Sequence, residues 1–465
     1  MATSAATTQS RADQPGSYGI LIVAGLIVLA GFVAVTLVAV QKASYDAWAT
    51  LFVTPVLIVV SLPAFARQAA REGNKKLFWW LLAALILKLI AGTFLRYFNT
   101  VEINGGTDSN KYHNAAMGYW EDFRAFDFDQ RPLDLTGTNF IRFIAGIVYA
   151  VVGPSRAAGF VVFSWFAFWG AYYFYRAFVI AVPEGRSRTY ARFVFLLPSV
   201  LFWPSSLGKE AWMMMGLGIT AYGVALLLTG STFRGAVAVG LGAWSAAFVR
   251  PYMPALMIIG VAFAFVLRRR KEHLSQFAPI SKAVAMAALV LASLMFVGKS
   301  EQFLNDRTVD TSEGVDSTAD EITRRSSQGG SEFVPTVIRS PAEFPVGAFT
   351  VVYRPLLIEV HTSRALLAGL ESGFLLVLTL IRIPWIIAAF RSFRRQPYVV
   401  FAAVYSALFI VGFSAVANFG LLVRQRSLLM PVFLVFLAIP PPKRKQRDDQ
   451  RREPDRVLSA AGSNF

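Results

Sequence analysis

The feature that most constrains this chain is the recurrence of apolar stretches about as long as a bilayer is thick. A helix needs roughly 20 consecutive apolar residues to cross the hydrocarbon core. Only 16% of the residues are charged, against about 25% in soluble domains, which excludes a soluble enzyme and a disordered chain. We therefore predict an all-α polytopic membrane protein with about 12 transmembrane helices. The candidate stretches are 18–41, 47–66, 77–98, 156–182, 190–204, 212–229, 234–249, 252–268, 280–298, 366–390, 398–416 and 424–440.

The basic residues fall where a membrane topology needs them. The chain carries 45 lysines and arginines against 28 acidic residues. Twenty of these basic residues cluster after alternate predicted spans and in the C-terminal tail, at 67–76, 186–192, 268–271, 391–395 and 443–452. Because cytoplasmic loops carry such an excess, both termini are predicted to be cytoplasmic. Membrane topology therefore explains the excess of basic residues. Nucleic acid is not an expected partner, since no stacking motif accompanies the basic tail.

This topology divides the chain into three parts. Residues 1–17 are predicted to form a cytoplasmic tail, 18–440 a single transmembrane domain and 441–465 a basic cytoplasmic tail. The transmembrane domain would have outer loops at 99–155 and 299–365. Within the first loop, the apolar stretch 138–153 is interpreted as a juxtamembrane or re-entrant helix on the outer face. A full crossing there would place the arginines of 186–192 outside.

An aspartate directly after the third predicted span is the first candidate for chemistry. The sequence GGTDSNKYHNAAMGYW begins at Gly105 and places Asp108 on a turn, with Tyr112 and His113 one helical turn later. An aspartate at the boundary between water and membrane can act as a general base or hold a divalent cation. It can also cap the helix that follows, and capping would not exclude catalysis.

A second candidate site interrupts the helix pattern at 196–212, LLPSVLFWPSSLGKEAW. Two prolines, two serines and a glycine break the helix here, and Lys209 and Glu210 follow at the start of the next helix. A broken helix with exposed N–H groups and an adjacent lysine is suited to bind an anion. The alternative is an ordinary turn in which Glu210 complements the helix dipole.

Arginines are predicted at the outer ends of several helices. They are Arg250, Arg354, Arg424 and Arg426. Arginine forks suit two-point contacts with phosphate oxygens, although snorkelling from helix ends would also explain such positions. Glu359 and His361 lie beside Arg354 and could add an acid or a base. The surrounding segment 346–365 mixes apolar and charged residues and is predicted to close over the active cavity.

The order of these features resembles the GT-C superfamily of membrane glycosyltransferases, particularly its protein-mannosyltransferase-like and lipid A sugar transferase-like members. The resemblance covers about 97–230, where Asp108 is followed by IAGIVYAVVGPSRAAGF at 144–160 and then by PSVLFWPSSLGKE. Two extra helices precede the loop that carries Asp108, and Glu210 stands where the family more often has aspartate. FTVVYRPLLIEVH and NFGLLVRQRSLLMP, later in the chain, look like pieces of bacterial exopolysaccharide-cluster membrane proteins.

The resemblance implies an inverting glycosyltransferase on the outer face of the bacterial cytoplasmic (inner) membrane, acting in cell-envelope glycan or exopolysaccharide assembly. Its donor would be a polyprenyl-linked sugar and its acceptor a glycan or a lipid-linked molecule. Asp108 and Glu210 would be catalytic, and Lys209 with the arginines would bind the donor phosphate. Tyr112, His113, Glu359 and His361 would be auxiliary.

Two other functions and the metal question stay open at this point. An O-antigen or exopolysaccharide polymerase or ligase would also need outer arginines, whereas a transporter or flippase would need charged residues near the membrane midplane. Without cysteine and with three histidines, a thiolate metal site is excluded and a histidine site is not expected. Asp108 and Glu210 would share a divalent cation, Mg²⁺ or Mn²⁺, only if the fold brings them together.

Overall fold

The described part of the chain is helical throughout, as the sequence predicts. It contains no β-strand, and a single isolated bridge joins Glu332 to Asn418. The computed structural model describes residues 37–38, 41, 45–103, 108–267, 320, 322–324, 326–327, 331–360, 363–393 and 395–442. The terminal tails 1–17 and 443–465, the predicted span 280–298, all but three residues of 18–41 and His361 lie outside these residues.

The α-helices are numbered here in chain order. They are α1 (Tyr45–Arg71), α2 (Lys75–Val101), α3 (Asp108–Arg124), α4 (Gly137–Val152), α5 (Arg156–Ala181), α6 (Ser187–Leu196), α7 (Pro198–Phe202), α8 (Lys209–Thr229), α9 (Thr232–Ala247), α10 (Tyr252–Leu267), α11 (Phe344–Tyr353), α12 (Ser363–Ile381), α13 (Ile383–Arg391), α14 (Pro397–Phe413) and α15 (Phe419–Phe433). Two π-helical stretches, Lys88–Gly92 and Phe98–Ile103, widen α2 and its C-terminal end.

Four of the described helices, α1, α2, α5 and α8, are long and apolar enough to cross a membrane. A fifth candidate is formed by α12 and α13, which meet at an angle of 63°. The all-helical prediction is therefore confirmed for the described residues, and the apolar helices are consistent with a membrane protein, while the number of twelve spans stays a prediction. One predicted span is wrong as drawn: 190–204 is not a single helix, because α6 ends at Leu196 and α7 restarts at Pro198.

The centre of the bundle is formed by α8, which packs against α5 on one side and α9 on the other. Glycines allow these backbones to approach closely, as they do in many membrane helix pairs. A Cβ atom built on Gly218 would lie 2.2 Å from the Gly170 carbonyl oxygen of α5. One built on Gly216 would lie 3.0 Å from the Gly242 carbonyl oxygen of α9. Small residues thus fix α8, and with it the N-terminal turn that carries Glu210.

The two segments predicted at the outer surface are ordered helices packed on the bundle. The stretch 138–153 forms α4, which packs against α3 and buries Tyr149 and Ile141. Its re-entrant position in a membrane stays a prediction. In 346–365, α11 packs against α14 and buries Val351 and Val352. Because this helix is fixed by its apolar face, we do not retain the prediction that the segment is a movable lid.

Candidate active site

Four charged side chains from distant parts of the sequence meet at one site. Asp108 lies in the first turn of α3, Glu210 in the first turn of α8, Arg250 just before α10, and Arg424 within α15. We call these four residues the charged cluster. Both predicted catalytic acids and two of the predicted phosphate-binding arginines belong to it.

Glu210 is the buried centre of the charged cluster, with only 1% of its surface exposed. Its Oε1 accepts from Arg250 Nη2 at 3.1 Å, and its Oε2 accepts from Arg424 Nη2 at 2.7 Å. Arg250 Nη1 also donates to Gln425 Oε1 at 2.5 Å. A carboxylate is tolerated at such depth only when it is paired and hydrogen-bonded. Both oxygens of Glu210 are therefore engaged in holding the two guanidinium groups.

Asp108 is in a different environment from Glu210. Its side chain is 52% exposed, and its nearest cation is Arg424, whose Nη1 lies 3.5 Å from Oδ2. Because α3 begins at Asp108 itself, the aspartate lies within the first turn of the helix, where its charge suits the helix dipole. One carboxylate of the site is thus buried and held by arginines, while the other is open to a substrate.

The helix break at 196–209 is what places Lys209 and Glu210. Leu197 is extended, Pro198 begins α7 at its first position, and α7 ends at Phe202. The last carbonyls of a helix lack partners within it. Lys88 of α2, itself buried, donates through Nζ to the Val200 oxygen at 2.8 Å and to the Leu201 oxygen at 3.1 Å. Lys88 therefore fastens α7, and the buried Ser205–Leu207 turn then leads into α8.

Lys209 and Tyr112 also belong to this neighbourhood. Lys209 interacts electrostatically with both carboxylates and both arginines of the charged cluster. Tyr112 is buried on α3, one turn after Asp108. Burial, together with the nearby carboxylates of Asp108 and Glu210, raises the pKa of the Tyr112 phenol. Tyr112 is therefore neutral at physiological pH and can act only as a hydrogen-bonding group.

The structure also places Arg96, near the C-terminal end of α2, beside the charged cluster. Its guanidinium carbon lies 5.0 Å from the centre of the Phe202 ring and 4.8 Å from that of Trp203. It is also close enough to Arg424 and Glu210 for electrostatic interaction. The spacing of residues in the sequence could have indicated this position of Arg96. Lys88, Gly92 and Arg96 recur every four residues, and all three face α7 or its C-terminal end.

Arg354 and Glu359 form a separate pair outside the charged cluster. Arg354 Nε donates to Glu359 Oε1 at 2.7 Å, and its guanidinium packs over the rings of Phe333 and Phe419. Burial alone would raise the pKa of Glu359. Hydrogen bonds from the Arg354 guanidinium and the Leu356 N–H outweigh burial and hold that pKa below its usual value. The structure does not bring this pair to Glu210.

Arg426 and His113 also lie outside the charged cluster. Arg426 is fully buried, and its Nη1 donates to the Val352 oxygen at 2.8 Å and to Ser372 Oγ at 3.0 Å. In this position it joins α15 to α11 and α12 and cannot reach a donor phosphate. His113 faces α4, with Nδ1 2.7 Å from the Tyr149 hydroxyl. The burial of Arg426 argues against its predicted phosphate-binding role, while the auxiliary role of His113 stays a prediction.

The two carboxylates do not form a shared cation site in this arrangement. Arg424 contacts both Asp108 and Glu210, and Arg250 occupies the remaining oxygen of Glu210. Within the described residues, no group of three His, Cys, Asp or Glu side chains is placed to hold a metal ion. The donor set around Asp108 and Glu210 therefore does not fit a Mg²⁺ or Mn²⁺ ion bound between them.

Comparison with protein-family models, with curated proteins and with solved structures gives no match.

Proposed function

We propose that this chain is an inverting membrane glycosyltransferase that uses a polyprenyl-phosphate-linked sugar as its donor. The observation that carries the proposal is the position of Arg424, which contacts the exposed Asp108 on one side and the buried Glu210 on the other. An exposed carboxylate beside fixed cations is the pairing that this reaction needs, because a base must act next to a leaving phosphate.

In the proposed reaction, Asp108 accepts the proton of the acceptor hydroxyl while that oxygen attacks the anomeric carbon of the sugar. The bond between the anomeric carbon and the donor phosphate oxygen breaks, and the phosphate leaves with the electron pair. Arg424, Arg250 and Lys209 stabilise the negative charge of the leaving group. Attack opposite the phosphate inverts the anomeric centre, as in inverting glycosidases.

Glu210 has a positioning role in this proposal and does not react. Both of its oxygens accept from arginine N–H groups, and the side chain is buried, so the carboxylate is not accessible to a substrate proton. Fixed in this way, the guanidinium groups need little reorganisation when the phosphate leaves, and preorganised charge is a large contribution to catalysis.

We place the site on the outer face of a bacterial inner membrane, with both termini in the cytoplasm. The support is the distribution of lysine and arginine along the sequence. The surrounding lipids and a polyprenyl-linked donor are then the expected partners, and the acceptor is a glycan or a lipid-linked molecule.

The test is transfer of a labelled sugar in proteoliposomes. Purified protein is supplied with a polyprenyl-phosphate or polyprenyl-diphosphate sugar and an acceptor glycan, and the product is resolved by length. Addition of a single sugar supports the transferase. A ladder of repeat units would instead support a polymerase, and movement of the donor across sealed vesicles without covalent change would support a transporter.

The arrangement of the arginines favours the transferase over the polymerase. A polymerase must hold two lipid-diphosphate substrates, whereas Arg250 and Arg424 converge on one carboxylate and Arg354 is paired with Glu359. Within the described residues, Arg250 and Arg424 therefore form one phosphate site, and Arg354 does not provide a second one.

A further inference from the structure

Arg96 differs from the arginines of the charged cluster in having no acidic partner. Arg250 and Arg424 share Glu210, but no carboxylate in the described part of the chain lies within 4.0 Å of the Arg96 guanidinium. Its Nε is buried without a hydrogen-bond partner, and the same holds for Nε of Arg424. An N–H group buried without a partner costs free energy unless a ligand or water accepts from it.

Aromatic rings hold the Arg96 guanidinium in place. Phe202 and Trp203 both lie against it. Phe202 is the last residue of α7, the helix that Lys88 contacts from α2, and Trp203 follows it directly. Stacking of this kind fixes the plane of a guanidinium while leaving its N–H edge free to donate. A planar fork held in one orientation suits bidentate contacts with phosphate oxygens.

The balance of charge at the site leaves room for two negative charges. Among the side chains that the structure describes, four cationic ones, Arg96, Lys209, Arg250 and Arg424, interact here with two carboxylates, Asp108 and Glu210, which leaves an excess of two. A phosphodiester between a lipid and a sugar carries a single negative charge. A diphosphate between the same groups carries one on each phosphate and therefore matches the excess.

We infer that the donor is diphosphate-linked, and that Arg96 binds the second phosphate. Arg424 and Arg250 would then hold the phosphate next to the sugar, and Arg96 the phosphate next to the lipid. This inference rests on the proposed function, because it refines which lipid-linked sugar the same site takes.

The test compares two soluble diester probes that carry the charges of the two donor types. They are methyl farnesyl phosphate, with one negative charge, and P1-farnesyl-P2-methyl diphosphate, with two, each added to the purified full chain in detergent. The ratio of their dissociation constants is measured for wild type, Arg96→Gln and Arg124→Gln. Arg124 is a matched control because it also stacks on a tryptophan, Trp120, but lies at the other end of α3 from Asp108. Loss of one charge-assisted contact is expected to weaken diphosphate binding by about 10- to 100-fold.

The expected result is a preference for the diphosphate in wild type and in Arg124→Gln, and near-equal binding of the two probes in Arg96→Gln. The monophosphate should bind Arg96→Gln about as well as wild type. An unchanged ratio in Arg96→Gln, or equal weakening of both probes, would overturn the inference. If that happened while wild type still transferred sugar, the proposed function would stand without it.

Two further outcomes keep the test decisive. Wild-type protein that bound neither probe would overturn this inference and the proposed donor together. If Arg96→Gln does not fold, Arg96→Lys keeps the charge and loses the fork. Partial loss of the diphosphate preference in the lysine variant supports the inference, and full retention of the preference contradicts it.

Discussion

Arg424 Nη2 donates to Glu210 Oε2 at 2.7 Å, joining residues that are 214 positions apart in the sequence. This contact ties α15 to the first turn of α8. Through this contact the buried Glu210 carboxylate also holds the Arg424 guanidinium in a position where it faces the exposed Asp108.

Replacing Asp108 with asparagine should remove sugar transfer and leave donor binding intact. The change deletes the proposed general base, a contribution of about 10²- to 10⁴-fold in rate, while the arginines that hold the phosphate remain. The rate and the dissociation constant for the diphosphate diester probe are measured side by side. Asp129→Asn, an exposed aspartate on the loop after α3, is the control and should behave as wild type. Full activity in Asp108→Asn would remove Asp108 as the base.

Glu210→Gln should act mainly on stability. Taking one partner from a buried ion pair leaves uncompensated charge and costs about 3–5 kcal/mol, and here the two partly buried guanidinium groups of Arg250 and Arg424 lose the negative charge that they share. Denaturant unfolding in detergent measures the loss. The matched control is Asp320→Asn, which breaks the exposed Asp320–Arg339 pair and should change stability by about 0–1 kcal/mol. Equal effects in the two variants would contradict the anchoring role.

Lys88→Met should loosen α7. The variant leaves the Val200 carbonyl without its lysine partner, at a cost of about 1–3 kcal/mol for an unsatisfied buried group. The Leu201 carbonyl also loses the lysine but keeps the Ser205 hydroxyl as a donor. Because α7 leads into the turn before Glu210, transfer should also slow. Unfolding and rate are compared with Lys76→Met, an exposed lysine on the same helix. Wild-type values for both in Lys88→Met would show that Lys88 does not support the site.

Gly218→Ala should destabilise the bundle because its Cβ atom would lie 2.2 Å from the Gly170 carbonyl oxygen. Overpacking of this kind costs about 1–3 kcal/mol, and here the neighbour is backbone that cannot rotate away. Gly240→Ala is the control, since nothing lies within 4 Å of a Cβ atom there. Alanine is the better helix former, so the control should melt at or slightly above the wild-type temperature.

The Glu359 carboxylate should stabilise the fold in a pH-dependent way. Its pKa is held below the usual value in the folded state. Its stabilising contribution is therefore present at neutral pH and is lost as the pH falls through the folded pKa. The difference in melting temperature between wild type and Glu359→Gln should shrink as the pH is lowered from 7 into that range. Glu121→Gln, an exposed carboxylate on α3, should show no such trend. A difference independent of pH would contradict the ion-pair explanation.

Part of the site could be predicted from residue types alone. Asp108 and Glu210 were identified because glycine, proline and serine break the helix pattern directly before them, and the structure brings both into one cluster. The helix must be interrupted at 196–209 in any fold of this chain, because Pro198 has no N–H group and cannot continue the hydrogen-bonding pattern of α6. The sequence indicated the break in the helix. It did not indicate that Lys88 of α2 donates a hydrogen bond to a carbonyl oxygen of α7.

By itself, the sequence determined the class of protein, because the length and apolarity of its helical stretches leave few alternatives to a membrane bundle. Only the tertiary structure decided which arginines belong to the site. Arg424 and Arg426 are two residues apart, which is about 200° around a helix. One therefore faces Glu210, while the other is buried against α11 and α12. The direction a side chain takes from a helix depends on how that helix is rotated against its neighbours, and such long-range packing cannot be read from residue type.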